Sequence, residues 1–87
     1  MAGFGQKKKE SNISSKKLLN LSEKELKEKS INSHIKGNLK EAEKGYIAYI
    51  KNGFHDADIF SNYALICEEK GEVDKAIKLY ERCVSNF

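Results

Sequence analysis

Gly37-Asn38-Leu39-Lys40-Glu41-Ala42-Glu43-Lys44-Gly45-Tyr46 returns as Gly71-Glu72-Val73-Asp74-Lys75-Ala76-Ile77-Lys78-Leu79-Tyr80, shifted by 34 residues. At that shift Lys36/Lys70, Gly37/Gly71, Ala42/Ala76, Lys44/Lys78, Tyr46/Tyr80 and Asn52/Asn86 coincide. Leu26/Phe60, Ile31/Leu65, Leu39/Val73 and Ile50/Val84 keep apolar character. A fixed period of this size marks stacked supersecondary units, and about 34 residues accommodates one helix-turn-helix unit. The expected fold is therefore all-α. Stacked hairpins bury one another's apolar faces, which inclines the function toward binding rather than chemistry.

Local signals give the element boundaries. Ser22-Glu23-Lys24-Glu25 is a capping box, in which the serine oxygen accepts from the third helical amide and Glu25 reaches back. A first helix should run from there to about Lys36, sparsely marked by Leu26, Ile31 and Ile35. Gly37 offers a left-handed stop without steric cost. Asn38, three residues before Glu41, is expected to cap a second helix, whose Leu39, Ala42, Tyr46, Tyr49 and Ile50 share one face. Asn52-Gly53 ends it. Asp56 should cap a third helix with the apolar stripe Phe60, Tyr63, Ala64 and Cys67. Gly71 stops that helix, and the fourth repeats the second with Val73, Ala76, Ile77, Tyr80, Cys83 and Val84.

The third and fourth helices resemble a tetratricopeptide repeat, whose pattern is large-x2-large-small-x2-large followed by Ala-x3-aromatic. The matching residues are Phe60, Tyr63, Ala64 and Cys67, then Ala76 and Tyr80. Repeat one, about residues 23–53, carries Leu26, Ser30, Ala42 and Tyr46, but Lys29 stands at one large apolar position. The proline that commonly closes such a repeat is absent, with Phe54 in its place. The resemblance implies a TPR-like domain over residues 22–87 (repeat two about 57–87). Its two hairpins would form a short right-handed solenoid. Such arrays usually hold three or more repeats, so the chain also fits the N-terminal segment of a larger bacterial transferase carrying these repeats. Inspecting the reading frame beyond Phe87 separates that alternative.

Residues 1–21 read as a disordered, flexible basic arm, too poor in apolar groups to offset the entropy of ordering. Ile13, Leu18, Leu19 and Leu21 are nonetheless able to dock a short helical turn on the first hairpin. The formal net charge of +3 belongs to this end: residues 1–22 hold five lysines against Glu10, whereas residues 23–87 hold 11 basic and 12 acidic residues. At 87 residues the chain suits one small domain with a thin core. No segment approaches the roughly 20 apolar residues of a membrane helix. Leu18-Leu19-Asn20-Leu21 is too short for a secretory core of about 7–15 residues. The reading is a cytoplasmic protein without membrane contact.

The resemblance implies a protein or peptide partner in a concave groove lined by the first and third helices. Asn62 falls where the family tends to place an asparagine that bonds the backbone of an extended peptide. Lys24, Lys27, His34 and Glu68 are the implied specificity contacts, with Lys24 and Lys27 suited to a ligand carboxylate. The plainer role for these polar side chains is solvation. Lys7, Lys8 and Lys9 in the arm suit nucleic acid, but Phe4 is the single aromatic there and no base-stacking platform exists. A basic-tailed, RNA-associated accessory protein is thus the alternative; steep salt dependence lost on removing residues 1–20 would mark it. His34, His55, Cys67 and Cys83 lack zinc-ligand spacing, so no metal or cofactor is expected. No nucleophile stands beside a positioned base, and no catalytic residue is assigned. Phe87 and the outer face of the last helix leave self-association open.

Overall fold

The computed structural model describes residues 15–86, and every element among them is helical. A single turn, α1 (Ser15–Leu18), precedes four longer helices: α2 (Glu23–Ile35), α3 (Leu39–Lys51), α4 (Ala57–Glu69) and α5 (Val73–Asn86). Lys7, Lys8, Lys9, Ile13 and Phe87 lie outside the described residues. Within the segment read as an arm, α1 packs on α3 and buries Leu18, while the Asn52 side chain donates to the Leu19 carbonyl at 3.3 Å.

Helix starts follow from side-chain capping. Both arms of the Ser22 box are present, with Glu25 N donating to Ser22 Oγ at 3.2 Å and Ser22 N to Glu25 Oε1 at 3.1 Å. Asp56 accepts from the amides of Asp58 and Ile59 at 2.9 and 3.2 Å. Asn38 departs from expectation: it stands at the start of α3, yet its side chain makes no capping bond. Its own amide is committed to the Ser33 carbonyl at 2.9 Å, closing α2, and its ψ of 73° is far from the extended backbone of a usual cap.

Helix ends share one device. Gly37, Gly53 and Gly71 have φ of 84°, 83° and 83°. At each, the glycine amide and the next amide bond back to the preceding turn (Gly37 to His34 and Asn38 to Ser33, for example), which satisfies carbonyls the helix leaves open. After Gly53, Phe54 additionally packs edge-on against Tyr49, ring centroids 5.3 Å apart, so the turn is closed by apolar contact as well.

α2 packs on α3 and α4 on α5, giving two helical hairpins that meet along α3 and α4. Leu26, Ala42, Tyr46, Tyr49, Ile59, Phe60, Ala64, Ile66, Cys67 and Ala76 form the core. Full burial of a large apolar side chain contributes about 1.5–3 kcal/mol, so the few central ones carry the domain. Hairpin one closes most tightly at Ser30 and Gly45. Buried Ser30 turns its hydroxyl onto the Leu26 carbonyl at 2.7 Å. A Cβ at Gly45 would overlap Ser30 Oγ and stand 2.8 Å from Ser30 Cβ. The small side chains thus let α2 and α3 approach.

The apolar pattern exceeds what the fold buries. Ile35, Val73, Ile77 and Val84 are exposed, and Cys83 is only half-buried, its Sγ 3.7 Å from the Ala57 carbonyl.

Candidate binding groove

α2 and α4 flank α3, and their side chains meet at the Tyr46 hydroxyl. Tyr46 rises from the middle of α3 and is fully buried. His34 Nδ1, on the last turn of α2, lies 2.8 Å from Tyr46 Oη, and the rings meet edge-on at 5.7 Å. Burial pushes the Tyr46 hydroxyl upward from its ordinary value, and the neighbouring Asn62 carboxamide on α4 opposes the shift. Two of the residues singled out from sequence, His34 and Asn62, are therefore neighbours through a third that was read only as core.

The remaining candidates do not converge there. Lys27 turns to the start of α4, pairing with Asp56 Oδ2 at 2.7 Å and lying 3.9 Å from Asp58 Oδ2. The bond to Asp56 raises the Lys27 ammonium from its usual value. At Asp56, burial pushes the carboxyl up, but Lys27 and the Ile59 and Asp58 amides outweigh it and hold it low. Lys27 thus joins the hairpins. Lys24 is exposed on α2, one turn before Lys27. Glu68, exposed on α4, accepts from the Tyr80 hydroxyl at 2.8 Å, and this bond raises the Tyr80 hydroxyl. His34–Tyr46 and Glu68–Tyr80 are the same pair of positions 34 residues apart.

At the C-terminal end of α4, sequence reasoning missed an ionic cluster. Lys70 Nζ donates to both oxygens of Glu43 at 3.0 Å and lies 3.8 Å from Glu72 Oε2. Lys75 lies 3.9 Å from Glu72 Oε1 and sits over the Tyr63 ring, 5.6 Å from its centroid. Ligand atoms of Glu43, buried Cys67 and Glu72 lie within 4.8 Å of one another. Chemically these carboxylates face two ammonium groups, and burial pushes the Cys67 thiol up, disfavouring the thiolate a soft metal requires. The arrangement serves as an ion-pair joint between α3 and α4. No local signal reveals it, because Glu43 and Lys70 are 27 residues apart.

No described helix is long and apolar enough to cross a membrane. No family model, curated protein or solved structure matches this chain.

Proposed function

We propose that the chain is a protein- or peptide-binding scaffold module of the tetratricopeptide type. Its two hairpins form a short right-handed solenoid, and an extended or helical partner segment docks along the groove between α2 and α4. The observation that carries this reading is the meeting of His34 and Asn62 over Tyr46. It brings a histidine and a carboxamide to one tyrosine, and the same two helices carry exposed Ile35 (α2) and Leu65 (α4). Polar groups that converge among apolar side chains are what a main-chain-reading groove needs. Lys24 adds charge at the α2 wall, and Lys27 holds the two walls at a fixed spacing through Asp56.

The test is a pull-down with the intact chain, repeated with Asn62→Ala and Ile35→Glu. Capture of a defined partner, lost in both variants while the thermal midpoint of Ile35→Glu stays within a few degrees, supports the groove. Capture unchanged by both variants overturns it.

A further inference from the structure

The two hairpins differ in charge as well as in packing. Residues 22–53 hold seven lysines and five glutamates, whereas residues 54–87 hold four basic and seven acidic residues, so positive charge collects on hairpin one. Part of it lies in one row. Lys40, Lys44, Ile47 and Lys51 recur on α3 at the 4-3-4 spacing that places residues on a single helix face. Ala42, Gly45, Tyr46 and Tyr49, all buried, occupy the opposite face, with Gly45 against Ser30 of α2. The row is therefore turned away from α2. Lys40 and Lys51 are exposed, and Lys44 and Ile47 are half-buried. At about 1.5 Å per residue the row spans roughly 16 Å.

The acidic groups of hairpin one are committed elsewhere or face another way. Glu41 pairs with Lys44 at 3.7 Å, and Glu43 holds Lys70 at 3.0 Å. Lys70 and Lys75 balance Glu43 and Glu72 in the joint between α3 and α4. Glu23, Glu25 and Glu28 belong to α2, on the far side of α3. Lys36, at the turn into α3, is exposed, and neither it nor Lys40 nor Lys51 enters an ion pair among the described residues. Lys17 of α1 is a further exposed cation, and the Asn52 bond to Leu19 brings that segment to the Lys51 end of α3.

The internal repeat supplies a control. Shifted by 34 residues, the row becomes Asp74, Lys78, Glu81 and Ser85 on α5, with two acidic groups and one basic. The position on the helix does not dictate lysine, so the charge is particular to α3.

The side chains define the ligand. The cations of the row are all lysines, point charges suited to phosphate, and none is the arginine fork that grips a carboxylate through two bonds. The row carries no aromatic ring on which an unpaired base could stack. Its one apolar member, Ile47, is half-buried and offers little to insert into a bilayer. A straight row of point charges matches a line of phosphates, and duplex DNA presents one negative charge per about 1.7 Å of axis.

We propose that the outer face of α3, through Lys40, Lys44 and Lys51 with Lys36 beside them, binds the phosphate backbone of duplex nucleic acid without reading its sequence. This surface does not rest on the groove between α2 and α4. Nor does it need Lys7, Lys8 and Lys9, which lie outside the described residues.

The test is titration of the intact chain with a short mixed-sequence DNA duplex at several salt concentrations, followed by fluorescence anisotropy. Lys40→Gln with Lys51→Gln should weaken binding about ten-fold or more and reduce the salt slope by about two, close to 0.9 for each lost phosphate contact. Lys29→Gln with Lys78→Gln removes the same charge elsewhere and should change affinity less than about two-fold. Equal losses from the two pairs overturn the proposal, because net charge alone would then suffice. So does affinity that survives the Lys40 and Lys51 changes but vanishes on removing residues 1–14, which assigns the binding to the arm. Tighter binding to the separated single strands or to phosphatidylserine vesicles overturns it too, as does the absence of duplex binding at low salt.

Discussion

The two hairpins share a register yet solve their packing differently. Hairpin one is closed by smallness, with Ser30 and Gly45 letting a mostly polar α2 approach α3, and by polar bonds such as the Tyr49 hydroxyl to Glu23 at 2.6 Å. Hairpin two has Ala64 and Leu79 at those positions and is closed by apolar bulk around Phe60, Cys67 and Ala76. Hairpin one is covered by α1 and α4, whereas the α5 face of hairpin two is open. The repeat thus preserves helix positions and caps, while interior chemistry is free to diverge provided each seam is filled.

The largest test of that comparison asks whether the hairpins stand apart. Ala42 and Ala76 are both buried at their seams, and a glutamate at either would bring an unpaired charge into the core. Ala42→Glu and Ala76→Glu should each cost about 4 kcal/mol or more, enough to unfold so small a domain. Far-UV circular dichroism should lose its helical signal throughout; retention of half of it would show that the hairpins fold independently.

Gly45→Ala comes next. The added methyl gains helix propensity of roughly 1 kcal/mol but collides with Ser30, and overpacking of this kind costs about 1–3 kcal/mol. Urea denaturation should show a net loss, recovered when Ser30→Gly is added. Leu79→Ala, the equivalent position in hairpin two, fails by the opposite mechanism, leaving a cavity.

Tyrosine hydroxyls separate the hairpins more finely. Removing the sealed Tyr46 hydroxyl leaves half-buried His34 without its partner, so Tyr46→Phe should cost about 1–1.5 kcal/mol. Tyr80→Phe, at an exposed bond to Glu68, should stay within about 0.5 kcal/mol. Equal losses would remove the distinction between covered and open faces.

The smallest effect concerns the Lys27–Asp56 clip, where hairpin two has Ser61 at the lysine position. Asp56 is held below its ordinary value in the folded state. Its contribution is therefore complete above the unfolded-state value and is lost as pH falls through the folded-state one. Lys27→Met should be less stable by up to about 1 kcal/mol at neutral pH. The gap should close as pH falls through the lowered Asp56 value and the carboxyl becomes protonated in both proteins. A gap independent of pH would mean that the lysine stem, not its charge, matters.

What the residues disclosed beforehand was local. Gly37 and Gly71 announce their turns because only a residue without Cβ adopts that backbone freely, and Ser22 and Asp56 bond amides two or three positions away. The 34-residue shift then carried Ala42 and Ala76 to the seams. Asn38 was misjudged because its amide serves the preceding helix, a claim the capping pattern does not reveal. The pairs Lys27–Asp56, Glu23–Tyr49 and Glu43–Lys70 span 26–29 residues and depend on how helices cross. The meeting of His34 and Asn62 was hidden for the same reason: their common partner, Tyr46, advertises a ring to be buried and conceals where its hydroxyl will point.

The glycine-closed turns also bear on how quickly the domain assembles. Each of the four longer helices packs chiefly on its immediate predecessor or successor, so little of the backbone must be looped before contacts begin to reward it. With no proline in the chain, no prolyl isomerisation can delay the process. Temperature-jump relaxation should therefore be single-phase and fall in the microsecond-to-millisecond range characteristic of low-contact-order helical domains.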